Sequence, residues 1–586
     1  MQPSNAESND KQPTFWTKAF PILMVLVASL AGYLLAPGDL ADGTYQNRIE
    51  ITADGSVYAI EVPFEIGSES SSTQIYQEAA DGGRIQVQAS PRYENALGQK
   101  ITFKTRLLDA EETPVDLSLE EAIATLSNGD YRQVLPPVER DGEWLVFSMR
   151  IPYKAKIATG LLMAVAVLWL TEIIPLAASA FLIPVVMVVT NVSSAKAVLA
   201  PFANPIIFLF LAGFLLAQAM RRTGFDRLIA ITILSRSSSR PASLMFTMMA
   251  ITAFLSMWMS NTASVAMIIP IAMAILDKIP QAGRRTGFRR ALILGVAYAG
   301  AVGGIGSAIG TPANILAMTF LGEFSGTNLK FVDWFAYGLP MVFIMVPIIW
   351  LFLLYSFKVR TGDVEGFIDP DMYQKQFAEE GGLQPEQRIV LVAFVLTVAL
   401  WLSEGWHGIS SSIVALIGAL LLFFSGTLQT EDLNRINWNA LLTFGGGLAI
   451  GTILVETGFS DWIALKLVGL SDLPQFLVIF LVAGLTLLIG AFISNTACAA
   501  MMIPLAIPLA QLLRIDPRLM VAVIAIGSSV DFALVIGTPP TMLAYSTGLF
   551  ETREIFKRGI LLDLIGVLLL SFGMVWIWNL LGVVTW

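Results

Sequence analysis

The chain has 586 residues, of which 55% are hydrophobic and 14% are charged, and its net charge is −9. Soluble domains carry roughly 25% charged residues and cannot expose this much apolar surface, so an ordinary soluble protein is excluded. The single Cys498 and single His407 exclude an intrachain disulfide framework, a histidine-based metal cluster and a Ser-His-Asp triad. Apolar runs of about 16 to 25 residues recur from Ala19 to Val584, close to the roughly 20 residues that a helix needs to cross a bilayer. We count about eleven such spans, which predicts an all-α polytopic membrane protein.

The N-terminal part of the chain combines one apolar run with a long polar segment. We interpret residues 19–37 as an uncleaved first transmembrane helix after a cytoplasmic tail at residues 1–18, because no clear small-x-small signal-peptide cleavage site follows the run. Residues 38–153 contain alternating polar and apolar runs typical of β-strands: Arg48–Thr52, Val57–Val62, Arg84–Gln88, Lys100–Lys104 and Trp144–Ser148. With 20 acidic and nine basic residues, this segment is predicted to be an inserted extracytoplasmic β-rich domain, most simply a structural or docking cap.

Four sequence blocks occur twice in the same order. The pairs are Trp169-Leu-Thr-Glu172 with Trp401-Leu-Ser-Glu404, Thr223-Gly-Phe225 with Thr457-Gly-Phe459, Ser260-Asn-Thr-Ala263 with Ser494-Asn-Thr-Ala497, and Ile309-Gly-Thr-Pro312 with Ile536-Gly-Thr-Pro539. Four matches in one order indicate an internal duplication. We therefore predict a first repeat at residues 154–357, a cytoplasmic linker at 358–387 and a second repeat at 388–586.

Basic residues flank the first Ser-Asn-Thr block on both sides. They are Arg221, Arg222, Arg227, Arg236 and Arg240 before it, and Lys278, Arg284, Arg285, Arg289 and Arg290 after it. Because Lys and Arg collect on the cytoplasmic face, residues 242–278 are predicted to form a re-entrant helical hairpin with the polar block at its tip. Residues 474–513 repeat the pattern, and tracing the spans places their ends outside, so the two repeats are predicted to be inverted. We interpret the arginine-rich loops as determinants of the chain's orientation in the membrane and as contacts to anionic lipids, rather than as a nucleic-acid site.

Each Gly-Thr-Pro block interrupts an apolar span. A broken helix presents free carbonyl groups on one side of the break and free N–H groups on the other. Carbonyl, Ser and Asn oxygens suit a hard cation such as sodium, whereas N–H groups at helix ends suit a carboxylate or sulfate. A lone Ser-Asn-Thr block in a membrane helix is usually an interhelical hydrogen-bonding patch. Its duplication at two hairpin tips, beside two helix breaks, favours a ligand site.

The paired Ser-Asn-Thr blocks and the Thr171-Glu172-x-x-Pro175 turn resemble those of the divalent anion:sodium symporters, the family of di- and tricarboxylate and sulfate carriers. The resemblance covers the first helix and nearly everything from Ile151 to Trp586. It implies a sodium-coupled secondary transporter, not an enzyme, that works as a homodimer whose transport domain slides past a rigid scaffold.

The resemblance also implies the residues of two sodium sites and one anion site. The first sodium site would use the Ser260 and Asn261 side chains with backbone oxygens of Ser256 and Gly310, and the second would use Ser494 and Asn495 with backbone oxygens of Gly490 and Gly537. The anion would contact Ser260, Asn261, Thr262, Thr311, Pro312, Ser494, Asn495, Thr496, Thr538 and Pro539. No Lys, Arg or His falls inside either hairpin core. Bound cations and helix ends must then balance the anion, which gives a physical reason for coupling.

Three features depart from the family pattern. Thr541 stands where the second break of the family commonly has Asn, although the first break keeps Asn314. Asp531 lies just before the second break, where the family usually has a small residue. An intramembrane carboxylate suggests a proton carrier or an extra cation ligand, or else a structural group. The inserted β-rich segment is the third departure, and its purpose is open.

Two other kinds of function remain as alternatives. A proton-coupled or exchange carrier of the same superfamily, including a cation/proton antiporter, shares hairpins and inverted repeats, and Asp531 slightly favours it. A membrane-anchored sensor or enzyme would act through residues 38–153, which contain no histidine and no cysteine. The paired Ser-Asn-Thr blocks favour the carboxylate carrier over both.

Overall fold

The computed structural model describes residues 15–35, 43–53, 56–66, 74–80, 83–93, 99–109, 113–115, 122–128, 131–135, 139–141, 143–150, 155–235, 240–277, 279, 285–359, 383–460, 463, 467 and 473–584. These residues are mostly helical, as the sequence predicts. They divide into two compact units, one within residues 1–198 and 456–459 and the other within residues 199–455 and 460–586.

The first unit begins with a helix and continues into two antiparallel sheets. The helix α1 is Phe15–Leu35, so it begins four residues earlier than the predicted span, inside the predicted tail. The strands are β1 (Gly43–Ala53), β2 (Ser56–Ile66), β3 (Gln74–Ala80), β4 (Gly83–Tyr93), β5 (Gln99–Asp109), β6 (Ala122–Asn128), β7 (Tyr131–Leu135), β8 (Glu139–Asp141) and β9 (Trp144–Arg150). One sheet has the order β2-β1-β6-β7 and the other β3-β4-β5-β9-β8.

Strand alternation explains where the apolar side chains of the sheets lie. Ile49 and Ile51 of β1 and Ile60 of β2 are buried, because residues two apart along a strand share a face. The five alternating segments singled out from the sequence all lie within strands, namely β1, β2, β4, β5 and β9. The other four strands lack a clean alternation of polar and apolar residues and were not anticipated. Four helices complete this part of the chain: α2 (Ala155–Thr171), α3 (Leu176–Ala180), α4 (Leu182–Val189) and α5 (Ala195–Leu199).

The second unit is helical throughout its described residues. Its helices are α6 (Pro205–Thr223), α7 (Phe225–Leu234), α8 (Pro241–Ser256), α9 (Asn261–Leu276), α10 (Arg285–Gly303), α11 (Pro312–Ser325), α12 (Asp333–Ser356), α13 (Pro385–Leu402), α14 (Glu404–His407), α15 (Ser411–Phe424), α16 (Thr430–Leu433), α17 (Trp438–Glu456), α18 (Gln475–Gly490), α19 (Asn495–Leu512), α20 (Pro517–Gly527), α21 (Pro539–Ser546), α22 (Thr552–Leu568) and α23 (Val575–Leu580). A 3₁₀ turn at Gly304–Gly306 follows α10, and a π-helical segment at Leu569–Met574 joins α22 to α23.

Seven helical segments in the described part of the chain are long and apolar enough to cross a membrane. Eight further apolar helices have only 10–17 residues, among them α8, α9, α18 and α20. The predicted number of about eleven spans, counted apart from the two hairpins, is therefore larger than the number of helices that meet this length. Most of the predicted linker, residues 360–382, lies outside the described residues, and α13 begins at Pro385 within it.

Both predicted hairpins consist of two helices joined by a short turn. Helices α8 and α9 form the first pair, and α18 and α19 form the second. In the first pair α8 ends at Ser256, and Met257, Trp258 and Met259 form the turn before the polar block. The polar blocks Ser260-Asn-Thr and Ser494-Asn-Thr therefore stand where the second leg of each pair begins.

Candidate functional site

The first hairpin tip is organised by Ser260. Its hydroxyl oxygen accepts a hydrogen bond from the N–H of Ala263 at 3.3 Å, which caps the N-terminus of α9. Serine is a favoured N-cap residue because its side chain satisfies one of the free N–H groups of the first turn. Helix α9 consequently begins at Asn261, and its remaining free N–H groups point out of the tip. Asn261 is partly exposed and Thr262 is exposed, so both are accessible to a ligand.

The side chain of Asn261 is held in place by groups from both sides. The Ser256 hydroxyl lies 2.7 Å from Asn261 Oδ1 and 2.6 Å from the carbonyl oxygen of Gly300. The Asn261 amide donates to the carbonyl oxygen of Ala301 at 3.4 Å. Gly304 lies against this carboxamide, so that a Cβ atom on it would overlap Asn261 Oδ1. The hairpin tip and the end of α10 therefore form one cluster of hydroxyl, carboxamide and carbonyl oxygens.

The first helix break is short and is held by Asn314. The chain leaves the 3₁₀ turn at Gly306 and enters α11 at Pro312. The Asn314 amide donates to the carbonyl oxygens of Gly304 at 3.0 Å and Ser307 at 2.7 Å, and to that of Ile305 at 3.3 Å. Asn314 Oδ1 is buried without a hydrogen-bond partner among the described residues. The predicted ligand Gly310 is buried here and packs against Gly304.

The second hairpin tip repeats the first. The hydroxyl oxygen of Ser494 accepts a hydrogen bond from the N–H of Ala497 at 3.3 Å, and α19 begins at Asn495. The Asn495 amide lies 3.4 Å from the Ser529 hydroxyl. Gly490, the last residue of α18, lies against the backbone of Ser528. The second tip is therefore joined to the end of α20 as the first tip is joined to α10.

The second helix break differs from the first. Helix α20 ends at Gly527 and α21 begins at Pro539, so the break is more than twice as long as the first. The Thr541 hydroxyl lies 2.9 Å from the Thr538 hydroxyl rather than reaching the backbone carbonyls of the break. Asp531 is buried, at 1% exposure, with its carboxylate against Gly537.

Neighbouring helices hold the backbone of this longer break. Asp563 on α22 accepts hydrogen bonds from the backbone N–H of Phe532 at 2.8 Å and of Ala533 at 3.2 Å. The Tyr298 hydroxyl on α10 donates to the carbonyl oxygen of Phe532 at 2.8 Å. Residues of both repeats therefore contribute to the second break.

The two halves of the site are packed against each other. Helix α21, which follows the second break, packs against α9 and α10, and α11, which follows the first break, packs against α19 and α20. Four helices thus begin at predicted site residues: α9 at Asn261, α11 at Pro312, α19 at Asn495 and α21 at Pro539. Thr311 and Thr538 precede the two prolines and are buried, whereas Thr496 is partly exposed.

The oxygen atoms at the tips and breaks are of the kinds that bind sodium. They are hydroxyl, carboxamide and backbone carbonyl oxygens, which are the ligands that hard cations prefer. Among the described residues there is no group of three or more His, Cys, Asp and Glu side chains that could hold a metal ion. Asn261 and Asn495 each lie beside an oxygen atom of the facing segment, the Ala301 carbonyl and the Ser529 hydroxyl respectively. These two oxygens are not among the predicted sodium ligands.

Several residues of the site were missed by sequence reasoning. Gly304, Tyr298 and Ser529 carry no signal in a single sequence. Asp563 could have been found, because it is the only acidic residue after Glu554 and lies in an apolar helix. A charged residue inside an apolar membrane helix is a candidate functional group by default.

Comparisons with known proteins identify a family of membrane transporters. The family model described as the sodium:sulfate symporter transmembrane region matches residues 145–584. An uncharacterized transporter of Haemophilus influenzae is 33% identical over 439 residues, covering 72% of this chain and 92% of that protein. The sodium-dependent dicarboxylate transporter SdcS of Staphylococcus aureus is 29% identical over 445 residues, covering 72% of this chain and 85% of that protein.

A solved structure, the YdaH transporter of Alcanivorax borkumensis, aligns with 66% of this chain and 88% of that chain, with 14% sequence identity. Its TM-score of 0.45 is too low to define a shared fold.

The apolar helices and the family match define an integral membrane transporter rather than an enzyme. The chain belongs to the sodium:sulfate symporter family, which is the divalent anion:sodium symporter family that the paired Ser-Asn-Thr blocks predict.

Proposed function

We propose that the protein is a sodium-coupled secondary transporter of a small di- or tricarboxylate, with sulfate as the other anion that its site chemistry admits. The observation that carries this proposal is the start of four helices at the duplicated tips and breaks. Helix N-termini bind anions through free N–H groups and a favourable dipole. The sodium-dependent dicarboxylate transporters among the relatives support the same substrate class.

In this proposal each tip and its neighbouring break hold one sodium ion, and the anion lies between them. The first ion is bound by Ser260 and Asn261 with backbone oxygens of Ser256 and Gly310, and the second by Ser494 and Asn495 with backbone oxygens of Gly490 and Gly537. The anion is bound by Asn261, Thr262, Asn495 and Thr496, with Thr311, Pro312, Thr538 and Pro539 as its other wall. Since the hairpin helices contain no Lys, Arg or His, the bound sodium ions supply the positive charge that the anion requires.

The proposal extends to how the protein moves. We propose inverted repeats with two re-entrant hairpins among about eleven spans, in a homodimer whose transport domain moves by an elevator mechanism. The N-terminus is cytoplasmic and residues 38–153 are extracytoplasmic. The packing of α21 on α9 and of α11 on α19 supports this scheme, because each half-site is tied to the other repeat and the two can move as one body.

The test is uptake of labelled succinate, citrate and sulfate into proteoliposomes, with and without an inward sodium gradient. We expect one of these anions to accumulate only with the gradient, and Asn261→Ala and Asn495→Ala each to reduce that uptake at least tenfold. Loss of one hydrogen-bonded ligand worth about 1.4 kcal/mol corresponds to tenfold in affinity. Asn434→Ala, an exposed asparagine outside both hairpins, is the matched control and should leave uptake unchanged.

A second candidate is a proton-coupled carrier or an exchanger of the same superfamily. The two buried carboxylates Asp531 and Asp563 favour it, because carboxylates inside a membrane commonly carry protons. Uptake that follows a pH gradient, or exchange for an internal anion without any sodium gradient, would replace sodium symport by this alternative.

A further inference from the structure

Asp531 is a buried carboxylate without a partner. The residue is 1% exposed, and neither of its carboxylate oxygens has a hydrogen-bond partner among the described residues. The backbone N–H groups of Leu534 and Ala533 lie near the carboxylate, and that of Ala533 donates to Asp563 at 3.2 Å. A buried carboxylate is strongly unfavourable unless it is hydrogen-bonded, paired or bound to a cation. The side chain is therefore neutralised either by a bound cation or by a proton.

The carboxylate is directed toward the second helix break. A Cβ atom added to Gly537 would overlap the Asp531 carboxylate, so the carboxylate lies directly against the backbone of a residue proposed to bind sodium. The Asn495 amide, which belongs to the same proposed site, contacts Ser529 two residues before Asp531. Asp531 therefore lies against the break and two residues along the chain from the contact with the hairpin tip.

The described groups around Asp531 do not supply the missing positive charge. Asp563 is another carboxylate, and it is satisfied by the N–H groups of Phe532 and Ala533. Arg558 is on the same helix as Asp563, but its guanidinium lies 2.9 Å from the Ser356 hydroxyl and stacks over the Phe357 ring. A mobile cation is therefore the ligand that would neutralise Asp531.

The first repeat has no corresponding carboxylate. The offset of 227 residues that aligns Gly310 with Gly537 also aligns Gly304 with Asp531. Gly304 lies against the Asn261 carboxamide, and the described oxygens around it are neutral. The two proposed sodium sites are therefore unequal in charge, although they come from one duplicated pattern.

We propose that the Asp531 carboxylate is an anionic ligand of the sodium ion at the second break. That site then binds sodium without the substrate anion, whereas the first site, made of neutral oxygens, binds sodium strongly only when the anion is present. This proposal rests on the proposed sodium coupling, and it adds which of the two sites binds sodium without the anion and which residue makes it so.

The test measures sodium binding without transport. The thermal unfolding midpoint of the purified full-length protein is followed as sodium replaces choline at constant ionic strength, with no di- or tricarboxylate or sulfate present. We compare wild type with Asp531→Asn, which keeps the side-chain shape, and with Asp531→Gly, which copies the first repeat. The matched control is Glu323→Gln, the same loss of charge at an exposed position of α11.

We expect sodium to raise the midpoint of wild type and of the control in a saturable manner. Both Asp531 variants should need at least about tenfold more sodium for half of the effect. Equal half-effect concentrations in wild type and Asp531→Asn would overturn the proposal. A midpoint that responds to pH but not to sodium would mean that Asp531 binds a proton rather than sodium. This result would also overturn the proposal.

If the variants do not fold, the proposal is tested on wild type alone by measuring the binding of radioactive sodium with and without the anion. At least one saturable site should be present without the anion. Sodium binding that appears only after an anion is added would overturn this inference and leave sodium coupling intact. No sodium binding under either condition would contradict the proposed function itself.

Discussion

The two helix breaks arise from the same Gly-Thr-Pro pattern, yet they are built differently. In the first repeat α10 continues through a 3₁₀ turn to Gly306, and Asn314 gathers three carbonyl groups of the break. In the second repeat α20 ends earlier, at Gly527, and Thr541 bonds to Thr538 instead. The first break is held by its own Asn314 amide together with Trp334 of α12, whose indole N–H donates to the Ile305 carbonyl oxygen at 2.9 Å. The second break has no such amide and is held by residues of neighbouring helices.

The comparison indicates that the duplicated sequence determines where each helix is interrupted. It does not determine which side chains lie in the break or bond to its backbone. At the second break the carbonyl and N–H groups of Phe532 are bonded by Tyr298 and Asp563, which lie on other helices. Asp531 lies in the segment between the end of α20 at Gly527 and the start of α21 at Pro539. The first break is therefore neutral and held largely by its own amide, whereas the second contains a carboxylate and is held by neighbouring helices. Substitutions can test each of these features in turn.

The largest expected effect comes from placing a side chain at Gly304, where the second repeat has one. Gly304→Ala would bring its Cβ into the Asn261 carboxamide, displacing it from Ser256 and Ala301. Loss of two hydrogen bonds, about 1 to 1.5 kcal/mol each, predicts a fall in sodium-dependent uptake of roughly 100-fold. Proteoliposome uptake measures it.

The matched control for this substitution is Gly484→Ala in α18, where an added Cβ meets no atom within 4 Å. Its uptake should equal that of wild type. Normal uptake by Gly304→Ala would show that the contact between Gly304 and Asn261 has no functional importance.

The next effect concerns the Asn314 amide, which donates to three carbonyl groups of the first break. Asn314→Thr copies Thr541 of the second repeat and removes all three hydrogen bonds to the carbonyls of the break. Leaving buried carbonyl groups unsatisfied should lower the free energy of unfolding by about 1–3 kcal/mol, seen as a lower thermal midpoint. The reciprocal Thr541→Asn changes one hydroxyl contact and should have a smaller effect. Equal effects of the two substitutions would mean that the breaks do not differ in how they are held.

An effect of similar size is expected at Gly537, and it can be reversed. Gly537→Ala would push its Cβ into the Asp531 carboxylate, and overpacking a buried site costs about 1–3 kcal/mol. Asp531→Gly in the same protein removes the overlapping group, so the double variant should recover most of the lost thermal stability. A double-mutant cycle on the thermal midpoints measures this coupling. Additive effects of the two substitutions would indicate that the two residues are not in contact.

Much of this arrangement could be predicted from the sequence because it repeats. The matched blocks located both hairpin tips and both breaks, and Ser260 and Ser494 act as helix N-caps through a local interaction that the sequence pattern implies. The family was also predicted correctly, since duplicated Ser-Asn-Thr blocks are specific to it.

The remaining features depend on contacts between distant parts of the chain. Tyr298 reaches Phe532 across 234 residues, and no local pattern marks either residue as a partner of the other. The sequence pattern places Arg289 among the cations of a loop, but the side chain is buried and donates to the carbonyl oxygen of Leu276, at the end of α9. The number of basic residues along a sequence does not distinguish a side chain that faces lipid headgroups from one that donates to the free carbonyl groups at a helix C-terminus.

The smallest expected effect is at Tyr298, the contact through which the first repeat supports the second break. Tyr298→Phe keeps the ring packed on Phe532 and removes only the donor to the Phe532 carbonyl oxygen. One buried hydrogen bond contributes about 1 kcal/mol, so the thermal midpoint should fall by a few degrees. Tyr337→Phe, which removes a similar hydrogen bond to Val583, should lower the midpoint to the same extent. Only Tyr298→Phe should also raise the sodium concentration needed for half-maximal uptake, by about twofold to fivefold, because it loosens the backbone beside the second site. The same change in both variants would reduce Tyr298 to a general stabilising contact, and the second break would then not depend on the first repeat for its sodium binding.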